Sequence, residues 1–591
     1  MKELIKELEK VMKDGFKEAG LDEKYGTVTV SNRPDLCEFQ CNGAMAAAKE
    51  YHKAPFQIAE EVVEKVKDNE AFESIEMVKP GFINFSVSKE YITKYVETMR
   101  NSRDFGLEKP DTREKIIMDY GGPNVAKPLH VGHLRSAIIG ESIKRILRFM
   151  GHDVTGDVHL GDWGLQMGLI ITELKKRRPE LPYFDEAYEG DYPKEPPFTI
   201  SELEEIYPTA SAKSKEDTDE GRAYKEEALK ATNELQKGRR GYRALLEHIL
   251  SVSVTDLKKN YERLKVSFDL WNGESTAQPY IPDMVQKMKD DGYAYLSDGA
   301  LVVDVKEDTD QKEMPPCMIL KSDGSSLYNT TDLATLVFRM KEHPDRVIYV
   351  VDKRQDLYFE QVFRCAKKTG IVPKNVVLDF IGFGTMNGKD GKPFKTRQGG
   401  VMRLSSLLDE ITDTMYEKIV TNQTMTEEEA RETADIVALS AIKYGDLSNQ
   451  AAKDYIFDVD RFTSFEGNTG PYILYTIVRI KSIIKKYEEG GNDGEDHEIN
   501  PAVSDSEKGL YLALAGYQEA MLSACAQLAP HRVCAYIYEL SNAFNKFYHE
   551  TKILSCEDPE LKKGYISLLK MTEAVLEQCI DLLGFSAPDK M

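Results

Sequence analysis

Two histidines three residues apart, in His130-Val131-Gly132-His133, are the side chains of this sequence best placed to do chemistry. They follow a short apolar run, Lys115–Tyr120, and a Gly/Pro turn. They precede apolar residues at helical spacing: Leu134, Ile138, Ile139, Ile143, Ile146, Leu147 and Met150. A strand, a turn and a helix N-terminus are therefore predicted at the histidines. Such a terminus offers free N–H groups and the positive end of the helix dipole, a setting for phosphate. Imidazoles there can donate to phosphate oxygens while charge develops at an α-phosphate under attack, and Gly132 lets an adenine ring approach the backbone. That chemistry needs positioning and charge stabilisation, with no protein nucleophile.

Tyr328 and Asp332, four residues apart, stack on one face if their segment is helical. Spacing alone leaves them either a surface pair or one wall of a pocket for a planar cation. Glu274 in the Trp271–Ser275 segment is a second carboxyl that could join them.

The surrounding elements divide the chain into three parts. Residues 1–108 read as a small α/β module, with helical periodicity at Leu4, Ile5, Leu8, Val11 and Met12 and β-like runs at Thr27–Val30 and Phe82–Val87. Residues 109–404 read as a Rossmann-like domain. Strands are predicted at Lys115–Tyr120, Val347–Val351 and Val376–Phe380, with a helix at Leu357–Lys368 between the last two. That succession implies a parallel, doubly wound sheet, and a charged, partly helical span from about 170 to 310 interrupts it. Residues 405–591 read as almost all helix, with a capping box at Thr426 and Glu429 and an exposed Gly/acid-rich loop at Glu488–Asn500.

Around the two histidines the sequence PNVAKPLHVGHLRS (Pro123, Asn124, Val125, Ala126, Lys127, Pro128, Leu129, His130, Val131, Gly132, His133 and onward) resembles the HIGH signature of class I aminoacyl-tRNA synthetases, in the form of the arginyl enzymes. The resemblance continues at Gly161-Asp162-Trp163-Gly164, Lys321–Asp332, Gln355-Asp356-Leu357, Gly384–Arg397, Ser464–Tyr475 and His531–Tyr548. It implies ATP-dependent activation of L-arginine to arginyl-adenylate, then transfer to the terminal adenosine of tRNA(Arg), with release of AMP and pyrophosphate. Mg²⁺ is expected with ATP, and no permanently bound cofactor or protein-held metal is expected. Gly122, Pro123, Asn124, His133 and Gln355 are implied to hold the amino acid, and Glu274, Tyr328 and Asp332 its guanidinium, whose planar fork of donors suits paired carboxylates. His130, Gly132 and His133 are implied on the ATP side. Lys392–Arg397 stands where the family carries its KMSKS loop but departs from that motif. Lys127, Lys395, Thr396 and Arg397 are the candidates there for the phosphates. Tyr472, Tyr475 and Tyr548 are assigned as platforms for anticodon bases, with Met591 touching a base, and the N-terminal module is implied to grip the outer corner of tRNA.

Composition bounds the alternatives. The chain has 591 residues, 41% hydrophobic and 30% charged, which is globular and too long for one core. No run is long and apolar enough for a membrane span, and no secretory signal opens the chain. Eight cysteines without a CxxC pair read as reduced thiols of a cytoplasmic protein. A net charge of −22 argues against binding nucleic acid by bulk attraction and leaves local patches such as Lys175–Arg178 or Lys481, Lys485 and Lys486. With no heptad seam, monomer is the default. A small-metabolite nucleotidyltransferase shares HxGH but is much shorter and lacks a helical third. A non-catalytic RNA-binding paralogue has no physical need for His130, His133, Asn124 and Asp332 together.

Overall fold

Helix α1 (Leu4–Glu18) forms because Leu4, Leu8, Met12 and Phe16 recur every fourth residue, and all four are buried. The computed structural model describes residues 1–392, 402–421, 425–492 and 494–591. After α1 come β1 (Val28–Val30), β2 (Phe39–Cys41), α2 (Gly43–Tyr51), α3 (Pro55–Val66), β3 (Phe72–Val78), β4 (Phe82–Val87) and α4 (Lys89–Arg100). The strands make an antiparallel sheet in the order β1-β2-β4-β3, with Phe39 and Phe85 stacked across it.

The chain divides into two compact units, Asp111–Thr463 and Met1–Pro110 with Ser464–Met591. The central unit starts with β5 (Lys115–Tyr120), α5 (Val131–Phe149), β6 (Asp153–Asp157) and α6 (Leu165–Arg177). The interrupting span follows as α7 (Ile200–Lys213), α8 (Asp219–Gln236), α9 (Arg240–Arg263), α10 (Glu274–Ala277) and α11 (Ile281–Asp290). An antiparallel sheet of β7 (Ala294–Ser297), β8 (Ala300–Val303) and β9 (Cys317–Leu320) completes it. The parallel sheet resumes with α12 (Tyr328–Met340), β10 (Arg346–Asp352), α13 (Asp356–Lys368) and β11 (Val377–Phe383). Its order is β11-β10-β5-β6, all parallel. Ile116, Met118, Val347, Ile348 and Val350 are fully buried, as a sheet covered on both faces requires.

The central unit does not stop at residue 404, where the sequence placed the boundary. After β11 it contains β12 (Met386–Asn387), α14 (Leu404–Val420), α15 (Glu427–Leu447), β13 (Tyr455–Ile456) and α16 (Val459–Phe462). These segments are tied in by β12–β13 pairing and by buried Arg135 of α5. Arg135 Nε donates to Asp446 of α15 at 3.0 Å, and its NH1 donates to the carbonyls of Gly384 and Lys453. The capping box at Thr426 and Glu429 is present as expected.

The helical remainder is α17 (Gly470–Glu489), α18 (Asp505–Ala515), α19 (Tyr517–Ala526), α20 (Pro530–Glu550) and α21 (Pro559–Leu582). None of the eight cysteines is in a disulfide. Among the described residues no helix is long and apolar enough to cross a membrane.

Candidate functional site

β5 ends at Tyr120 and the chain turns through Gly121, at φ +74°, into the Gly122–Leu129 segment. A Cβ on Gly122 would stand 2.5 Å from the His159 carbonyl oxygen, so only glycine fits there. Gly161 lies against the Asn124 side chain, whose Oδ1 a Cβ there would displace. The Asn124 side chain is exposed, while Pro123 beside it is buried. Ala126 is held at φ +57°, a strained conformation for alanine, and its N–H donates to Ser253 Oγ at 3.0 Å. The Lys127 ammonium lies 4.6 Å from the centre of the Tyr207 ring on α7.

His130 is the N-cap of α5 and His133 its third residue. The Gly132 N–H donates to His130 Nδ1 at 3.1 Å, and the His130 N–H donates to His133 Nδ1 at 3.2 Å. The rings are close and tilted by 32° to one another, with centroids 3.9 Å apart. Burial, then the charge of Lys127, lowers the His130 pKa. Burial, then His130 and Lys127, brings that of His133 down to about 3. Both rings are therefore neutral near pH 7, and because each Nδ1 accepts, the proton of each sits on Nε2. The expected free N–H groups of this helix are not found in its first turn. Val131 donates to the Met402 carbonyl, Gly132 to the His130 ring and His133 to the His130 carbonyl. The two Nε2–H groups are thus the donors the motif keeps for a ligand.

The Met402–Leu404 backbone pairs with the motif: His130 bridges Arg403, and Leu404 N–H donates to the Leu129 carbonyl. Arg403 pairs in turn with Glu204 of α7 at 3.0 Å. The candidates Lys395, Thr396 and Arg397 lie outside the described residues.

Among the amino-acid candidates, Glu274 of one segment acts electrostatically with Tyr328 and Asp332 of another. Tyr328 and Asp332 are both on α12 as predicted. Tyr328 is 73% exposed, however, and the hydroxyl that donates to Asp332 belongs to Tyr358 of α13. Glu274 begins α10 and influences Tyr328 electrostatically. Its neighbour Ser275 donates through N–H to Asp162 Oδ1 at 2.9 Å and through its hydroxyl to Oδ2. Asp162 is buried. Burial, Asp162 and Asp332 together push the Glu274 carboxyl up to about 8. Burial above all also raises Asp332 and Asp162. Glu274, flanked electrostatically by Asp162 and Asp332, is thus disfavoured as a carboxylate until a cation comes beside it. Gln355 is exposed at the end of β10, ahead of α13. Among the described residues no group of three or more His, Cys, Asp or Glu is arranged to hold a metal ion.

Sequence reasoning missed Tyr358 and the role of Asp162. The Gly161-Asp162-Trp163-Gly164 block stands out in the sequence, but nothing local ties its acid to Glu274, 112 positions on. The His159 ring nitrogens, also unforeseen, are buried and lack hydrogen-bond partners, and His159 acts electrostatically on both Asp162 and Asp332.

In the helical remainder, Tyr472, Tyr475 and Tyr548 gather around Arg479. The Arg479 guanidinium lies 4.7 Å from the centre of the Tyr475 ring and 5.0 Å from that of Tyr548. The Tyr472 hydroxyl donates to Asn542 at 2.7 Å and accepts from Asn545 at 3.0 Å. None of the three is a core residue: Tyr475 is 41% exposed and the others half-buried. Met591 is also half-buried. The lysine and arginine patches expected from sequence are largely ion-paired, Lys481 with Glu577 at 2.7 Å and Lys176 with Glu227 at 2.8 Å.

The sequence matches the family description "tRNA synthetases class I (R), catalytic domain" over residues 97–459. It matches "DALR anticodon binding domain" over 473–591 and "Arginyl tRNA synthetase N terminal domain" over 2–87. The arginine–tRNA ligase of Agathobacter rectalis is 65% identical, with all of both chains covered. That of Alkaliphilus oremlandii is 58% identical at the same coverage. The crystal structure of arginyl-tRNA synthetase from Plasmodium falciparum superposes with a TM-score of 0.78 at 25% identity, over the whole of both chains. With catalytic, anticodon-binding and N-terminal segments all matched in order, the chain belongs to the arginine–tRNA ligases, the arginyl branch of the class I synthetases.

Proposed function

We propose that this arginine–tRNA ligase binds the guanidinium of L-arginine between Asp332 and Glu274 and activates its carboxylate at the His130–His133 turn. The observation that carries the reading is the placing of Glu274 at the start of α10, next to the Ser275 that bonds Asp162, with Asp162 and Asp332 both acting electrostatically on its carboxyl. Asn124 and Gln355 hold the α-amino and carboxylate ends, with Gly122 and Pro123 shaping the wall beside them. The arginine carboxylate attacks the α-phosphorus of ATP in line. Pyrophosphate leaves, and the phosphate charge is met by the Nε2–H groups of His130 and His133 and by Lys127. Lys395, Thr396 and Arg397 are assigned to the departing pyrophosphate. Mg²⁺ enters with the triphosphate as part of the substrate. The 2′-hydroxyl of the terminal adenosine of tRNA(Arg) then attacks the mixed anhydride and AMP departs. The eight cysteines, none of them in a disulfide, fit a cytoplasmic setting, and we take the working form to be a monomer. ATP–pyrophosphate exchange with each amino acid in turn, with and without tRNA, tests the reading. Exchange should depend on arginine alone, and exchange driven equally by lysine would overturn it.

Glu274 makes arginine binding pH-dependent. With its pKa near 8, the free enzyme carries a proton there at pH 7, whereas the bound guanidinium favours the carboxylate. Arginine affinity should therefore rise from pH 6 toward 8, by up to about tenfold per pH unit, and level off above. Calorimetry at pH 7 in two buffers of different ionisation enthalpy should register about one proton released per arginine. Glu274→Gln should release none.

Tyr475 is the most exposed of the three tyrosines, so its ring is the most available to a base. Tyr475→Ala should raise KM for tRNA by roughly 5- to 100-fold, the span of one base stack, and leave arginine-dependent exchange unchanged. Tyr475→Phe should behave as wild type. Tyr472→Phe should not, because it loses the bonds to Asn542 and Asn545. Steady-state aminoacylation against tRNA concentration separates these outcomes.

A further inference from the structure

Tyr349 of β10, Asp119 of β5 and Asp157 of β6 form one row across three adjacent strands: Tyr349 is in register with Asp119, and Asp119 with Asp157. Like charges side by side in a sheet repel, and both carboxylates are buried. The group that reconciles them is Arg339 of α12, itself 2% exposed. Its NH2 nitrogen donates to Asp119 Oδ2 at 2.6 Å and to Asp157 Oδ2 at 2.9 Å. Its guanidinium stands 5.3 Å from the centre of the Tyr349 ring.

Arg339 lies seven residues after Asp332, two turns along the same helical face. The inner face of α12 therefore carries the substrate-facing carboxylate at one level and a guanidinium of the protein's own two turns further on. Asp119 and Asp157 stand at the C-terminal ends of their strands, and β5 runs directly into the Gly121–His133 segment. The clamp thus joins the helix that bears Asp332 to the strand that delivers the two histidines. Arg339 and Asp119 also act on Asp332 electrostatically, in opposite directions.

We propose that Arg339 is a positioning residue for the amino-acid substrate: gripping Asp119 and Asp157 together, it fixes α12 so that Asp332 stays aligned with the histidine turn. The inference rests on the reading of Asp332 as the guanidinium partner. A helix that only needed anchoring would be served by apolar packing. Here one nitrogen spans two strand ends, and Arg339 Nε and NH1 make no hydrogen bond. Position, rather than the number of bonds, is what the clamp supplies.

Arg339→Met should raise KM for arginine by about tenfold or more while KM for ATP stays within about twofold. Arg339→Lys should recover most of the loss, because a single nitrogen carries both bonds. Arg339→Met strands two buried carboxylates, so it could fail to fold. Asp157→Asn then decides, since it leaves Arg339 paired with Asp119. In that variant arginine KM should rise about three- to tenfold with ATP KM held. An unchanged arginine KM in the folded variants, or arginine and ATP KM moving in parallel, overturns the proposal. Asp332→Asn is measured alongside. Normal arginine binding there overturns the pocket reading itself. Weakened binding there, with normal Arg339 and Asp157 variants, overturns only the clamp.

Discussion

His133→Ala should lower kcat for arginine-dependent pyrophosphate exchange on the order of 10²–10³-fold, with a smaller change in arginine KM, the effect of losing one preorganised donor at a developing charge. The size of the effect follows from the wiring of the motif. The His130 N–H holds His133 at Nδ1, which leaves its Nε2–H as the donor for phosphate. His133→Asn retains a donor in a shorter side chain and should fall between alanine and wild type. The lowered pKa values fix the pH response as well. A histidine whose pKa is depressed stays neutral down to that pKa, about 3 for His133. Exchange at saturating arginine should therefore show no inflection near pH 6.5 from either ring. Near-normal turnover in a folded His133→Ala protein, or a clear pH 6.5 inflection lost in that variant, would falsify the assignment.

Asp332→Asn should weaken arginine binding by about 30-fold or more and leave ATP binding unchanged, because truncating one member of a buried charged pair costs about 2–5 kcal/mol. Asparagine keeps the shape and one acceptor, so the loss isolates the charge. Tyr358, whose hydroxyl donates to Asp332, supplies a control. Tyr358→Phe should cost less than Asp332→Asn, since it removes an aligning bond and not the counter-charge. Lysine should be rejected by the wild type, its ammonium being unable to fill a planar fork, and canavanine should serve as a poorer substrate. Calorimetry with tRNA present measures all of these. An unchanged arginine Kd for Asp332→Asn moves the pocket to Glu274.

The parts of this site legible in the sequence were those carried by one continuous segment. The predicted strand Lys115–Tyr120 is β5 residue for residue, and the histidine motif does open α5. What was not legible came from distant segments or from elements without periodicity. β6 reads Asp-Val-Thr-Gly-Asp, with Val154 its only buried apolar residue, so no alternation announces it. Its buried Asp157 makes sense only beside Arg339, and the two are 182 positions apart. Tyr358 meets Asp332 across two helices, and a four-residue spacing rule pointed instead to Tyr328, whose ring is mostly in solvent. The free N–H groups expected at α5 were the wrong inference from a sound principle. Helix termini do leave donors unspent, but here the Met402 carbonyl, the His130 ring and the His130 carbonyl take them. The boundary at 404 failed for a similar reason, because the buried bond between Arg135 and Asp446 has no local signature.

The strand order β11-β10-β5-β6 also has a consequence for biogenesis. β5 leaves the ribosome early and can pair at once with β6, yet its other neighbour, β10, begins only at Arg346. At about 5–20 residues per second, one edge of β5 waits on the order of ten to forty seconds for its partner. That edge belongs to an apolar parallel strand, the kind of surface on which nascent chains aggregate. The helices α7–α9 are translated during this interval. Besides dividing the sheet in sequence, they give the nascent chain local structure that can form while the strand is still unpaired. Shortening that span would then carry a cost in yield of soluble protein that measurements on the finished enzyme would not reveal.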